Sequence, residues 1–290
     1  MSDYKLENID NGYKSYKQII DFYDYYKDGF FQTINVHIEN WFGGNMAAVL
    51  GSVSDLLMEN LNTINFVIKD VEIKNLLLRN GFLSYYGHDI EIDDRHTTIK
   101  YLKIKPTDGR FFNNYIFGEL INRPELPEMS QPLKKKITES IYELYVNAQI
   151  HSNTKFVYTC GQLFPAKNKI EFTFVDTGRG FKNVVNSALE PFGRHFNANQ
   201  AIRWAIKDKN STKGDVSGGI GLAILIEFIK LNKGKLQIVS DNGFYLLDET
   251  GEKDYDFPTS FPGSIINISV RTDDDASYSL IGEINNNDLF

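Results

Sequence analysis

Apolar residues recur along this chain with two different periods. Between residues 46 and 61, Met46, Val49, Leu50, Val53, Leu57 and Leu61 follow at three- and four-residue steps, the spacing of one face of an α-helix. On either side of that stretch the period falls to two. Thr33-Ile34-Asn35-Val36-His37-Ile38, Asn65-Phe66-Val67-Ile68 and the run from Thr97 to Ile104 alternate as half-buried strands do. A second helix is predicted over residues 71–79, stopped by Asn80-Gly81. Strand, helix, strand, helix, strand in that order predicts a small α/β domain with some parallel pairing over residues 31–121. Residues 1–30 are rich in Tyr, Asp and Lys and predict only a short helix near residues 17–22.

Residues 122–132 hold three of the chain's eight prolines and read as a linker between domains. Beyond them the pattern predicts a helix over 134–151, strands at 156–160 and 170–175, a long polar segment, a glycine-opened helix over 222–231, and strands near 235–239 and 265–270. That is an α+β arrangement, helices against a mostly antiparallel sheet, spanning residues 133–272. Residues 273–290, with Asp273-Asp274-Asp275 and Asn285-Asn286-Asn287, read as an acidic tail.

Composition narrows the function more than the fold. The chain has 290 residues, 42% of them hydrophobic, enough for one large or two modest cores. A net charge of −7 with no long Lys/Arg run argues against a broad nucleic-acid or anionic-membrane footprint. No stretch approaches the roughly 20 unbroken apolar residues of a bilayer span, and the polar start is unlike a signal peptide, so a cytoplasmic location is expected. The single cysteine, Cys160, is expected to be a buried bystander.

Four segments carry candidate chemistry. In the helix over 134–151, Glu139, Glu143, Asn147 and His151 advance by fours beside an apolar stripe. A carboxylate and a carboxamide one turn apart suit ATP hydrolysis, the first to orient or deprotonate water and the second to hold Mg²⁺ without repelling phosphates. Phe174-Val175-Asp176-Thr177-Gly178-Arg179-Gly180 ends an alternating strand in an acid and a glycine turn, where Asp176 can accept from an adenine amino group. Gly214 to Ala223, including Gly218-Gly219-Ile220-Gly221-Leu222, opens a helix and offers backbone N–H groups to phosphate. Ser264, in Phe261-Pro262-Gly263-Ser264, places a hydroxyl before the closing strand.

These segments, in this order, resemble the GHKL ATPase superfamily of gyrase B subunits, MutL proteins, sensor histidine kinases, heat-shock chaperones and anti-sigma-factor kinases, across about residues 130–272. The resemblance implies a Bergerat-type two-layer sandwich that binds ATP and magnesium. Glu143 would be the general base and Asn147 the Mg²⁺ ligand. Asp176 would read adenine, with Gly178 and Gly180 shaping its pocket. Gly218, Gly219, Ile220, Gly221 and Leu222 would form the phosphate loop, with Ser264 beside the base. Residues 182–217 would be the ATP lid, with Lys213 the favoured γ-phosphate partner among Arg194, Arg203, Lys207 and Lys209. No histidine sits in an autokinase context, and no gyrase- or MutL-like transducer domain follows. The first half is similar to a STAS-like fold in strand and helix order and in Asn45 to Gly51. The expected function is therefore an ATP-hydrolysing regulatory protein, working with a protein partner or a second copy of itself. The alternatives are an anti-sigma-type serine/threonine kinase and a non-catalytic nucleotide sensor.

Overall fold

The computed structural model describes residues 2–207 and 220–283, with the side chains of Ile220 and Gly221 also left aside. The chain is a mixed α+β molecule built on two sheets. The first is parallel, with strand order β1 (Ser2–Ile9), β2 (Thr33–Phe42), β3 (Thr63–Ile68). Helices α1 (Tyr13–Tyr26), α2 (Ala47–Glu59) and α3 (Val71–Arg79) accompany it. The second contains β4 (Thr98–Ile104), β5 (Val157–Phe164), β6 (Lys169–Asp176), β7 (Lys235–Asp248) and β8 (Gly251–Arg271) in the order β4-β5-β6-β8-β7, every neighbouring pair antiparallel. Helices α4 (Gly109–Ile116), α5 (Gln131–Asn147) and α8 (Ile220–Asn232) cover one of its faces, while α6 (Gly180–Leu189) and α7 (Ala198–Ile206) lie along β7.

Side chains alternate across the second sheet, and both faces are buried. Ile170, Phe172 and Phe174 of β6 share a core with Ile266 and Ile268 of β8, Ile141 and Leu144 of α5, and Leu225 and Phe228 of α8. The residues between them face the amino-terminal layer. There Tyr158, Cys160, Val175, Val239 and Ile265 join a second core with α1, α2 and the parallel sheet.

Several residues on that inner face are polar, and they bond one another and the amino-terminal layer. Asn267, fully buried, donates to Glu171 Oε2 at 2.7 Å and to Gln237 Oε1 at 3.0 Å, and its Oδ1 accepts from Thr173 at 2.7 Å and from Asn45 at 3.2 Å. Glu171 also accepts from Asn11 at 2.6 Å and pairs with Lys169 at 2.5 Å. Gln162 Oε1 takes the Gly44 N–H at 2.6 Å. Two turns of the amino-terminal layer, at residues 10–12 and 43–46, are thus tied to the sheet by bonds made in the dry interior, where each partner is costly to remove.

Several expectations change here. Residues 98–104 do not complete the parallel sheet but form the edge of the antiparallel one. The strand β1, not anticipated, takes a place beside β2. Residues 122–132 connect α4 to α5 on one face of one sheet, so they do not separate two independently packed units. The expected acidic tail is docked as far as residue 283. Asp274 accepts from Asn232 and Tyr278, Tyr278 stacks edge-on against Phe228, and Ser130 donates to Glu283. Cys160 is buried, and burial pushes its thiol pKa up, which keeps it protonated and unreactive. Replacing Asn267 by Leu strips donors from Glu171 and Gln237; urea unfolding should show a loss of about 3 kcal/mol, and an unchanged midpoint would remove the network from what holds the layers together.

Candidate functional site

The helix-facing side of the sheet changes character at its end. Residues 170, 172, 174 and 176 of β6 share that side, and after three core residues the fourth is an aspartate. Asp176 is in register with Ser264 of β8, and Ser264 with Ser240 of β7. Three polar side chains therefore stand abreast where the apolar core stops, with the Ser240 and Ser264 hydroxyls 3.2 Å apart.

Two segments close over them. The chain leaves α5 through a wider turn, Ala148–Ser152, of π geometry, and Ser152 Oγ donates to Ala148 O at 2.6 Å. The carbonyl of Ser152 accepts the Arg179 N–H at 2.8 Å, which binds the end of α5 to the turn after β6. In that turn a Cβ on Gly178 would lie 2.1 Å from the Ser152 oxygen, so only glycine fits. Gly180 has φ of +69°, and a Cβ there would meet Asp241 Oδ2 at 2.7 Å. The first free amides of α6 are already taken: Phe181 N–H donates to Ser240 Oγ at 2.8 Å and Lys182 N–H to Asp241 Oδ2 at 3.2 Å, a cap supplied from another strand.

Asp176 is the electrostatic centre of this cluster. Only 6% exposed, it has its carboxyl pKa raised by burial to about 7, although hydrogen bonds from the Gly178 N–H, at 3.1 Å, and from Ser152 and Ser264 act in the opposite direction. Burial also raises Asp241, partly offset by the Lys182 N–H. The cluster is thus a buried carboxyl whose pKa is raised to about 7, flanked by hydroxyls and a glycine turn.

The structure brings together Asp176, Gly178, Gly180 and Ser264. Glu143 and Asn147 lie half-buried on the last turns of α5, the helix whose end reaches this cluster. His151 leaves the four-residue ladder, because the π turn after Asn147 shifts its direction. Gly218, Gly219 and Lys213 lie outside the described residues. Ile220 and Gly221 begin α8, and Leu222 is buried in the core between α8 and the sheet, where it packs instead of facing a ligand. Of the expected lid, residues 182–189 belong to α6 and residues 198–206 to α7. Arg203 is engaged by Asp254 and Glu252, both at 2.6 Å, so its charge is already matched. Ser152, Ser240 and Asp241 were not anticipated; Ser240 and Asp241 lie within β7, where its pairing with β8 shifts register.

Replacing Asp176 with Asn should raise stability at alkaline pH. A carboxyl that titrates at about 7 in the fold and near 3.8 when exposed favours folding fully below its unfolded value, and that contribution is lost as pH rises through 7. Urea unfolding should show the variant matching wild type near pH 4 and exceeding it by on the order of 2 kcal/mol at pH 8. Equal stability at both pH values would mean that the carboxyl is not buried as described.

No protein-family model matches the chain, and a search of curated proteins finds no match either.

Proposed function

We propose that this chain binds ATP in a Bergerat-type nucleotide fold and hydrolyses it with magnesium, as a regulatory protein whose nucleotide state alters contacts with a protein partner or a second copy. The observation that carries this reading is the placement of Asp176: a buried carboxylate at a strand end, aligned with Ser264 and walled by the Gly178 turn. That set suits a purine edge, which offers an exocyclic N–H₂ to the carboxylate and ring nitrogens to hydroxyls. Glycine at 178 lets the backbone close in behind the ligand.

The remaining roles follow from position on α5. Asn147 would present its carboxamide oxygen to Mg²⁺, and Glu143, one turn earlier, would orient the attacking water and take its proton. Magnesium, when bound, neutralises phosphate charge and fixes the phosphates' orientation. Gly218 and Gly219, which precede α8 in the sequence, would supply backbone donors to phosphate oxygens.

Calorimetry with ATP, paired with phosphate-release assays, tests this. Asp176→Asn should weaken ATP binding by a factor on the order of 10², the worth of one hydrogen bond to a charged acceptor. Affinity of the wild type should fall about tenfold per pH unit below 7, because protonation removes the acceptor. Glu143→Ala should still bind but release phosphate on the order of 10² times more slowly. Unaltered affinity in Asp176→Asn, or a flat pH profile, would overturn the assignment of the base pocket.

A further inference from the structure

A second cleft, sharing no residue with the Asp176 cluster, opens where α3 and the turn after it lie against β4. It encloses about 310 Å³ and is lined among others by Arg79, Ser84, Tyr85, Ile90, Lys100 and Tyr101. No carboxylate is among its lining residues, whereas two cations are. That imbalance stands out in a chain of net charge −7.

Arg79 ends α3 with its side chain only 10% exposed, and its Nε is buried without a hydrogen bond. The carboxylate nearest to it does not close the gap. Asp93 Oδ1 stays 4.0 Å away, because Oδ2 of the same group is held by the Thr98 N–H at 2.8 Å and the Thr98 hydroxyl at 2.7 Å. Asp93 thus faces the charge of Arg79, but the Nε–H is left without an acceptor, which is costly in a buried group unless something else completes it. Lys100, projecting from β4, adds a second positive charge. The apolar part of the wall is Tyr85, whose ring meets that of Tyr101 edge-on at 5.1 Å, together with Ile90, which is 63% exposed.

The walls are fixed in advance of any ligand. Asn80, next to Arg79, accepts from the Phe82 N–H at 2.9 Å and donates towards Cys160 Sγ at 3.4 Å, while its carbonyl takes the Tyr101 N–H at 2.7 Å. Little ordering is left to oppose binding.

We propose that this cleft binds a small organic anion, its carboxylate or phosphate oxygens meeting Arg79 and Lys100 and its flat apolar body lying against Tyr85 and Ile90. Because α3 belongs to the amino-terminal layer and β4 to the antiparallel sheet, the ligand would join the two across their seam.

The test titrates the full chain with benzoate, phenyl phosphate and neutral benzyl alcohol, observed by ligand NMR and calorimetry. At least one anion should saturate in the millimolar range or tighter, near what so few heavy atoms can reach, and the tighter of the two identifies the head group. Lys100→Gln, at an exposed position, should weaken it about tenfold, and Arg79→Gln should weaken it further if that variant folds. Asp176→Asn should leave it unchanged, which separates this cleft from the nucleotide site. The proposal is overturned by a lack of saturation with both anions, by equal binding of benzyl alcohol, by wild-type affinity in Lys100→Gln, or by loss in Asp176→Asn.

Discussion

Every residue of β5, and every residue of β6 after the first, is buried. A strand alternates its side chains between two faces, so complete burial demands two separate covers. One is the helical layer of α4, α5 and α8. The other is the whole amino-terminal layer, whose α2 is enclosed from Ala47 to Ser54 because it lies between the two sheets. From this requirement follow the partition of the core into two clusters and the polar contacts that join the layers. The apolar face could be covered by helices alone, but Glu171, Thr173, Gln237 and Asn267 needed partners as well as cover. Asn11 and Asn45 provide them.

With the interior filled, the two places proposed to take ligands lie at the margins of the packed layers. The Asp176 cluster lies where β6 ends against the middles of β8 and β7, where the core residues stop and a turn can approach the backbone closely. The cleft at Arg79 occupies the β4 edge, where two layers meet without filling the seam. In both places an ionisable group is buried: Asp176 among hydroxyls, and Arg79 with its Nε unbonded. At Asp176 the result is a carboxyl held near neutrality, a cost to stability of the kind that binding sites carry. The glycine turn and the cap on α6 from Ser240 and Asp241 keep that carboxyl in place, so the cost does not turn into disorder.

Much of the local structure was legible in the sequence. The helix over Val71–Arg79 and its stop at Asn80-Gly81 were read from spacing alone, as was the strand ending at Asp176. The candidate residues Asp176, Gly178, Gly180 and Ser264 were picked out by segment type; the register of β6 with β8 sets Asp176 beside Ser264, and the glycines follow in the turn after β6. Ser152 and Ser240 left no comparable trace, since a lone serine at a helix end or inside a strand gives no periodic signal.

Sequence by itself determined the strongly periodic segments, such as α2, α3 and β6, and which side of each is most apolar, because those properties repeat within a dozen residues. Only tertiary structure decided which sheet each strand joins. Residues 98–104 alternate equally well for either sheet, and what places them in the antiparallel one is pairing with β5, some 60 residues away. The same holds for the polar positions. Alternation in β6 reads as one buried and one wet face, yet the second face is dry, covered by residues such as Asn45, which bonds Asn267 across 222 residues of chain. A local pattern reports how much of a segment must be buried; what buries it is set by contacts that sequence spacing does not encode.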